Sequence, residues 1–526
     1  MTNSIECLEK AEVFLITGSN TTDNHPIIGH GVRRALRRGA KLVMFEPRRI
    51  ALTSVADVWC RMRPGTDVAW INGLMHVIIK EDLYDKEFVA ARTEGFEEVR
   101  QVVESYTPER VSKITGVAAE DLVAAARLYA SGKPASILYS MGITQHTSGT
   151  DNVKSLANLA MLCGNMGLEG GGVNPLRGQN NVQGACDMGG LPNVYPGYAQ
   201  VTDEAARKKF EKAWSTELSP ELGVPLTEII PKAASGEIKA LYIMGENPLL
   251  SDPDLAHVRE AFDKLDFLVV QDLFLTETAR VADVVLPASS YAERPGTVTN
   301  TERRVQLMNR VIAPVAGSRP DWQIICDLAA RMGHPWKYES EADIFDELAS
   351  LTPQYAGISY ARLEAGEQLC WPVPTKSHPG TPILHVGQFS RGLGKFHAIE
   401  HRDPAEMPDD EFPMILTTGR ILEHFHTGTM TRKSKGLDAL VPGPYCELNL
   451  ADAARLSIVD GDKVRVESRR GAIELEARVQ ERVDKGVLFI PFHFWEAAAN
   501  ELTNTALDPI AKIPEFKVCS ARVSKA

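Results

Sequence analysis

The sequence lacks the features that would place it in several large classes of protein. Its eight cysteines are scattered without a Cys-x-x-Cys pair, so a cysteine-ligated zinc or iron–sulfur site is not expected here and the thiols are interpreted as reduced. No apolar run reaches the roughly 18 residues that a membrane span requires, and the first residues carry no export-signal pattern, which favours a cytoplasmic location. The formal net charge of -12, without a basic stripe interleaved with aromatics, predicts no nucleic-acid partner. With these classes excluded, we expect a protein that binds or converts small molecules.

The chain begins with the pattern of a βαβ unit. With 526 residues, of which 44% are hydrophobic, it can form about three domains. An apolar run at 12–17 ends at Gly18-Ser19-Asn20, a helical pattern follows, and a second apolar run covers 41–45. Such units build parallel sheets that bind ligands at the carboxyl ends of their strands, and a glycine turn before a helix can present N–H groups to a phosphate.

The same pattern recurs from Lys239. A predicted strand ends at Gly245-Glu246-Asn247, a helix follows, and a further strand ends at Gln271-Asp272. Both copies then reach Ala-Asp-Val after nearly the same number of residues, which indicates an internal duplication of a nucleotide-binding half. The halves could hold two nucleotides or one dinucleotide across a pseudo-twofold axis. Neither contains Gly-x-Gly-x-x-Gly, which argues against an ordinary NAD site.

Between the two copies lies the stretch 173–189, VNPLRGQNNVQGACDMG. It fits neither helical nor strand periodicity, so it is predicted to be irregular. Arg177 can offer a planar fork of donors to a small carboxylate, and the amides that follow it both donate and accept. The alternative is a surface loop with a solvated arginine. For Cys186, a small packed thiol is favoured over a nucleophile.

The C-terminal part has a different pattern. Residues 341–405 are rich in proline, glycine and histidine and are predicted to be an irregular connector. From Pro413 onward, short alternating strands separated by glycine turns predict a small closed β-barrel. Its loops carry unusual polar chemistry, in particular the segments 418–420 and 424–430.

Two motifs, NPLRGQNNVQGACDMG and HTGTMTRKSKG, resemble the catalytic subunit of formate dehydrogenases in the molybdopterin oxidoreductase superfamily. The resemblance implies an α/β fold class: two related dinucleotide-binding α/β domains with parallel sheets at 1–180 and 181–340, the connector at 341–405, and a six-stranded β-barrel of the double-psi type at 406–526. It also implies a bis(molybdopterin guanine dinucleotide) cofactor that carries molybdenum or tungsten and oxidises formate to carbon dioxide.

The resemblance assigns roles only where its motifs match. It implies that Arg177 holds formate. It implies cofactor contacts in the first half and its neighbouring loop from Gly18, Ser19, Asn20, His25, Gly65, Thr66, Asp67, Met141, Gln145 and Gln179. It implies contacts in the second half from Asn247, Gln271, Asp272, Arg294 and Asp321, and in the barrel from Thr418, Gly419, Arg420, His426, Thr427, Phe492, Asn500 and Lys517. No metal ligand is expected among these residues.

Family members begin with a [4Fe-4S] segment and a cysteine or selenocysteine metal ligand, which the present sequence does not contain. We therefore expect an N-terminally truncated catalytic subunit, through a selenocysteine codon read as a stop, a split gene or a non-catalytic remnant. Iron–sulfur or diaphorase electron-transfer subunits are the expected partners, beside formate. Another molybdopterin oxidoreductase such as nitrate reductase, and a scaffold that holds a cofactor without chemistry, are the alternatives.

Overall fold

The computed structural model describes residues 1–526. The chain forms two compact units. The first contains residues 1–178, 252–256 and 383–526, and the second contains residues 179–251 and 257–382.

A five-stranded parallel sheet lies at the centre of the first unit. Its strands are β1 (Val13–Thr17), β2 (Lys41–Phe45), β3 (Val58–Cys60), β4 (Ala135–Tyr139) and β5 (Gly172–Pro175), in the order β3-β2-β1-β4-β5. Both β1 and β4 are buried along their whole length, as expected for a parallel sheet covered by helices on both faces. The helices of this part are Ile5–Leu8, Thr21–Asn24, Pro26–Arg37, Asp67–Lys80, Lys86–Arg92, Phe96–Glu104, Pro108–Thr115, Ala119–Ser131, Met141–Thr144 and Gly149–Leu162.

Local sequence explains the helix that follows the glycine turn. Pro26 occupies the first helical position, where its missing N–H has no helical partner to lose, and Arg34 and Arg37 lie in the last turn, where the helix dipole favours cations. The helix Asp67–Lys80 is buried over most of its length, and Trp70 stacks on Phe45 at 3.9 Å between ring centroids. This packing holds the start of the helix Asp67–Lys80 against the end of β2.

The second unit repeats the βαβ arrangement. Strands β6 (Ala240–Met244), β7 (Phe267–Asp272) and β8 (Val284–Pro287) form a parallel sheet in the order β8-β7-β6, and β9 (Gly296–Thr299), β10 (Arg304–Met308) and β11 (Leu369–Cys370) form an antiparallel sheet. Its helices are Val182–Asp187, Glu204–Trp214, Leu226–Ala234, Pro248–Ser251, Leu255–Phe262 from its third residue onward, Glu277–Arg280, Asp321–Arg331, Glu341–Leu351 and Tyr360–Glu364.

The two copies share a hydrogen-bond detail that supports the duplication. The Leu42 N–H donates to Asp57 Oδ2 at 2.8 Å, and the Leu268 N–H donates to Asp283 Oδ2 at 2.7 Å. In each case the aspartate of Ala-Asp-Val precedes an outer strand and anchors it to the second residue of its neighbour. The repeated Ala-Asp-Val motif therefore helps to pair an outer strand with its neighbour in each sheet.

The C-terminal barrel closes with six strands, β12 (Met414–Gly419), β13 (Tyr445–Leu448), β14 (Lys463–Glu467), β15 (Ala472–Val479), β16 (Val487–Pro491) and β17 (Cys519–Lys525). Their order around the barrel is β12-β16-β13-β15-β14-β17. The helices Lys435–Leu440 and Leu450–Leu456 lie in its connections. The predicted α/β class with parallel sheets and a closed six-stranded barrel is thus confirmed.

The barrel is attached to the sheet of the first unit by a buried ion pair. Arg48, just after β2, donates to both carboxylate oxygens of Glu447 in β13 at 2.5 and 2.6 Å, and its guanidinium lies 3.7 Å from the ring centroid of Phe489 in β16. A two-point pair between buried partners fixes the angle between the groups it joins. The end of β2 and the barrel rim therefore face each other across a defined gap.

Two stretches expected to be irregular contain regular elements. In 173–189, β5 covers the first residues because Asn174 is held by Ser136 Oγ and the Gly171 carbonyl, and the helix Val182–Asp187 follows an Asn181 with φ of 60°. In 341–405, the helix Glu341–Leu351 forms at the start, where Ser340 and Asp343 make a capping box. Regular structure forms without periodicity at these two places, through long-range hydrogen bonds in the first stretch and through a helix cap in the second.

Candidate functional site

A cavity of about 310 Å³ opens at the carboxyl ends of the parallel strands of the first unit, beneath the barrel rim. Parallel sheets place ligand sites at this edge. The sheet side contributes Gly18, Ser19, Asn20, Asp23, Asn24, His25, Glu46, Pro47, Arg48, Ile50, Met62, Pro64, Gly65, Asp67, Ser140, Met141, Gly142, His146 and Gly178. The barrel side contributes Thr417, Thr418, Gly419, Arg420, Ile421, Leu422, Glu423, His424, Phe425, Thr431, Leu437, Phe489 and Lys517.

Two glycines form one wall of the cavity by direct backbone contact. The Gly142 N–H donates to the Gly18 carbonyl at 3.0 Å, and Gly18 has φ of +54°. A Cβ on Gly18 would lie 2.6 Å from the Gly142 carbonyl carbon, and a Cβ on Gly142 would overlap Gly18 Cα. The turns after β1 and β4 therefore touch without side chains, which leaves backbone groups facing the cavity.

The barrel side of the cavity carries two largely buried cations, Arg420 and Lys517. Arg420 makes no ion pair, its buried Nε has no partner, and burial lowers the pKa of its guanidinium to about 10. Lys517 donates to the Thr418 carbonyl at 2.7 Å, and burial, reinforced by the charge of Arg420, lowers the pKa of its ammonium to about 7. An enclosed cation without a counter-charge is costly in the protein alone and favours an anionic ligand.

The sheet side contains two enclosed carboxyl groups. Burial raises the pKa of Asp67 to about 7, although Trp70 Nε1 donates to it at 3.2 Å, and burial raises the pKa of Glu46 to about 7. His146 Nε2 lies 3.7 Å from Asp67 Oδ2, and burial lowers the pKa of this histidine to about 4, so the ring is neutral. Burying an ionised carboxylate costs free energy, so carboxyl groups that are buried beside a cavity are candidates for contacts with a ligand.

Several enclosed polar atoms of the cavity wall lack protein partners. These include Asn20 Oδ1 and His25 Nδ1, in addition to Arg420 Nε. The other His25 nitrogen, Nε2, lies 3.1 Å from the Arg177 carbonyl, and burial lowers the pKa of this ring. Buried polar atoms normally have hydrogen-bond partners, so a polar ligand is expected to supply the partners that these atoms lack.

The structure brings eleven of the predicted residues into this cavity: Gly18, Ser19, Asn20, His25, Gly65, Asp67, Met141, Thr418, Gly419, Arg420 and Lys517. The side chain of Arg177 does not line it, but the next residue, Gly178, does, and Arg420 lies close enough that a Cβ on Gly178 would be 3.3 Å from its Nη1. Arg177 thus stands at the cavity margin, held through its carbonyl by His25.

Six further predicted residues of the first unit lie outside the cavity lining. Thr66 donates to the Arg63 carbonyl at 2.7 Å ahead of the helix Asp67–Lys80, and Gln145 ends the helix Met141–Thr144. In the barrel, Phe492 packs on His426, and its ring centroid lies 5.5 Å from the Arg420 guanidinium. The Thr427 and Thr429 hydroxyls are hydrogen-bonded to each other, and the Asn500 carbonyl accepts from the Thr503 hydroxyl. Phe492 therefore contacts Arg420 from outside the cavity lining.

In the second unit, three of the six predicted residues form one cluster. Gln271 donates to Asp321 Oδ1 at 2.6 Å and accepts from the Tyr242 hydroxyl, and Arg294 lies 3.7 Å from Asp321 Oδ2 with its buried Nε unpartnered.

The other three residues of that set have separate surroundings. Asn247 bonds Glu277 and Thr278 through its whole amide, and Asp272 accepts from the backbone N–H groups of Leu273 and Phe274. Gln179 lies at the start of the unit, where its carbonyl accepts from Val182.

Sequence reasoning missed Glu46, His146 and His493. Glu46 directly follows β2, so the rule that ligands bind at carboxyl ends of parallel strands could have found it. His146 lies beyond a four-residue helix and His493 beyond β16, and neither position carries a local signal. Their proximity to the cavity is created by the fold.

No helix is long and apolar enough to cross a membrane. No group of three or more histidine, cysteine, aspartate or glutamate side chains is arranged to hold a metal ion, and all eight cysteines are free.

A parallel α/β sheet whose cavity is covered by a six-stranded barrel defines a class of α/β proteins that bind a ligand at the carboxyl ends of their strands. The family described as molybdopterin oxidoreductase matches residues 1–331, and the molydopterin dinucleotide binding domain matches residues 414–521. The chain belongs to the molybdopterin oxidoreductase family. The unpaired Arg420 and the orphaned polar atoms fit a large anionic cofactor of the molybdopterin dinucleotide type.

The chain is similar to several curated proteins over nearly its full length. It is 52% identical to the F420-dependent formate dehydrogenase subunit alpha of Methanocaldococcus jannaschii, over 100% of this chain and 78% of the relative. It is 44% identical to formate dehydrogenase H of Escherichia coli, over 99% of this chain and 74% of the relative. Among solved structures, acetylene hydratase from Pelobacter acetylenicus superposes with a TM-score of 0.79 at 20% identity, over 99% of this chain and 81% of that chain, which shows the fold alone.

Proposed function

We propose that this chain is the catalytic subunit of a formate dehydrogenase, which oxidises formate to carbon dioxide with release of two electrons and a proton. The observation that carries the proposal is the position of Arg177 at the margin of the cofactor cavity, with its carbonyl bonded to His25 and the next residue, Gly178, beside Arg420. The names of relatives at 44 to 52% identity support it.

The cofactor proposed is bis(molybdopterin guanine dinucleotide) with molybdenum or tungsten, which supplies the two-electron redox centre when bound. In the first unit, Arg420 and Lys517 would pair with its anionic groups, and the Asp67 carboxylate would accept from the N–H donors of a guanine edge. In the second unit, the cluster of Gln271, Arg294 and Asp321 would hold the other guanine arm, with Asn247 and Asp272 shaping the adjacent turns.

The protein contribution to the reaction is positioning. Arg177 would bind the two carboxylate oxygens of formate with two parallel N–H groups and so orient the C–H bond toward the redox centre. Because His25 fixes the Arg177 backbone from the cavity wall, the substrate grip and the cofactor cavity would share one rigid support. A [4Fe-4S] cluster and iron–sulfur or diaphorase partner subunits would supply the electron-accepting groups.

Formate-dependent reduction of a viologen dye by the cofactor-loaded enzyme, together with GMP released on acid hydrolysis, tests the proposal. Loaded enzyme that reduces nitrate with viologen but does not oxidise formate would assign it to the nitrate reductase alternative. Loaded protein with no redox activity toward either substrate would support the scaffold.

Arg420→Gln is expected to lower bound GMP about tenfold or more when cofactor is limiting, because a charge-assisted hydrogen bond contributes on the order of 1.5–3 kcal/mol. The cofactor-free variant should be at least as stable as the parent, since the replaced cation has no ion-pair partner. Arg37→Gln, at an exposed position in the last turn of the helix Pro26–Arg37, is the control and should leave bound GMP unchanged. A fall in stability with unchanged GMP would contradict the role given to Arg420.

Asp67→Asn is expected to stabilise the cofactor-free chain at pH 8 while lowering bound GMP. The folded pKa of Asp67 is about 7 and its ordinary value is 3.8, so the ionised carboxylate destabilises the fold progressively as the pH rises from about 4 to 7. The gain from asparagine should be absent near pH 4 and constant above pH 7, on the order of 4 kcal/mol. Urea unfolding across this pH range measures it.

Asp508→Asn provides a control of opposite sign for Asp67→Asn. Asp508 accepts from the N–H and hydroxyl of Thr150 and from two backbone N–H groups, and these bonds lower its pKa. The Asp508 carboxylate therefore stabilises the fold above pH 4, so its amide variant should be destabilised at pH 8. If Asp67→Asn behaved in the same way, Asp67 would be a structural carboxylate rather than a guanine acceptor.

A further inference from the structure

His493 lies beneath the barrel loop 420–428, which supplies six residues to the cavity lining. The ring is fully buried, just beyond the end of β16. The Ile421 N–H donates to His493 Nε2 at 3.1 Å, and His493 Nδ1 contacts the His426 carbonyl. A backbone N–H can only donate and a carbonyl can only accept, so the ring is neutral, with its proton on Nδ1. One imidazole thus bridges two points of the loop.

The loop has little regular structure of its own to hold its shape. It contains no helix or strand between β12 and the 3-10 turn at Thr431–Lys433, and it includes two residues with positive φ, His426 at 51° and Gly428 at 73°. A Cβ on Gly428 would lie 2.7 Å from the His493 carbonyl, so the loop is packed directly on the backbone of residue 493. The loop, which His424 also ties to Thr431 and to the Val441 carbonyl, is thus packed against the backbone that carries His493.

Arg420 is the residue most affected by this support. Its Nε has no partner, and its guanidinium lies near the Phe492 ring, the Met141 sulfur and the backbone of Gly178 without an ion pair, so no strong side-chain bond within the protein fixes its position. The bond from the adjacent Ile421 N–H to His493 does fix its backbone. Burial lowers the pKa of His493 to about 3, so the acceptor at Nε2 persists at all ordinary pH values.

We infer that His493 is a positioning residue that holds the loop 420–428, and with it Arg420, in place over the cofactor cavity. It acts as a fixed donor–acceptor bridge and takes no part in proton transfer. The inference rests on the proposed function only in that the cavity holds the cofactor.

Two amide variants separate the two bonds of the bridge. A glutamine oxygen reaches the place of Nε2 and can accept from Ile421, whereas an asparagine nitrogen reaches the place of Nδ1 and can donate to His426. Phenylalanine keeps the ring and removes both bonds. His76→Phe is the matched control, because His76 is buried in the same unit, bonds the Val103 carbonyl at 2.9 Å and does not line the cavity.

The full chain is produced together with the enzymes that make the cofactor, and bound GMP per chain and Tm are measured for each variant. We expect His493→Phe to lose about tenfold or more of the bound GMP, His493→Gln to stay within about twofold of the parent, and His493→Asn to fall between them. His76→Phe should lower Tm and keep its GMP. Equal GMP in the two phenylalanine variants at a similar Tm would overturn the inference, as would loss in His493→Gln equal to that in His493→Phe.

Limited trypsin digestion of the cofactor-free chain provides a readout independent of the proposed function. Arg432 and Lys433 lie four and five residues beyond the end of the loop. His493→Phe should be cut there several times faster than the parent and than His76→Phe, and His493→Gln should not. Equal cutting rates would remove His493 as the support of the loop. If the parent binds no GMP-containing cofactor but the digestion pattern holds, the proposed function fails and the positioning role stands.

Discussion

Arg177→Lys is expected to raise the KM for formate strongly in the cofactor-loaded enzyme while leaving bound GMP and metal unchanged. A guanidinium can bind both oxygens of a carboxylate in parallel, whereas an ammonium offers a single point of contact. The loss of one such charge-assisted interaction corresponds to about 2–4 kcal/mol, or roughly 30- to 1000-fold in kcat/KM. Steady-state kinetics with formate at saturating acceptor measures it.

The position of Arg177 explains why Arg177→Lys should weaken formate binding without lowering the cofactor content. The bond to His25 involves the Arg177 carbonyl, which the substitution does not change, and the side chain does not line the cofactor cavity. Arg420→Lys is the matched control, because it makes the same chemical change inside the cavity. It should lower cofactor content and alter the KM of the loaded fraction much less. Unchanged kinetics in Arg177→Lys would exclude Arg177 from the formate site.

Gly142→Ala is expected to destabilise the chain by about 2–3 kcal/mol and to lower bound GMP at least as strongly as Arg420→Gln. The new Cβ would overlap Gly18 Cα, and neither turn can move away freely because each directly follows a fully buried strand. Separating the turns also breaks the bond from the Gly142 N–H to the Gly18 carbonyl and distorts the wall that faces the cofactor.

Gly31→Ala provides the control for Gly142→Ala. A Cβ on Gly31 would meet only the Glu9 side chain, at an ordinary 3.6 Å, within the helix Pro26–Arg37. Alanine should therefore stabilise the chain by roughly 0.5–1 kcal/mol, through helix propensity alone. Urea denaturation of both variants, with GMP release in parallel, distinguishes steric overlap from a general effect of adding a methyl group. Full stability and full GMP in Gly142→Ala would show that the two turns are not in contact.

Sequence patterns by themselves predicted the first strands of both βαβ units and the β-barrel of the C-terminal part. The run at 41–45 is a strand with the predicted bounds, because a buried parallel strand is apolar over most of its length and this requirement is visible in a window of five residues. The repeated Ala-Asp-Val was also visible in the sequence, because each aspartate makes the same bond to the neighbouring strand of its own βαβ unit. The two motifs identified the family, which the comparisons confirm.

Only the tertiary structure decided how these parts combine into a site. Glu46 and Lys517 are far apart in the chain, yet both line one cavity, and the contact between Gly18 and Gly142 follows from the adjacency of β1 and β4 in the sheet. Periodicity reports which face of an element is buried, whereas the pairing of distant turns depends on strand order and barrel closure. The absence of any ion-pair partner for Arg420, and the bridge from His493 to its loop, are properties of the closed barrel rim and have no counterpart in local sequence.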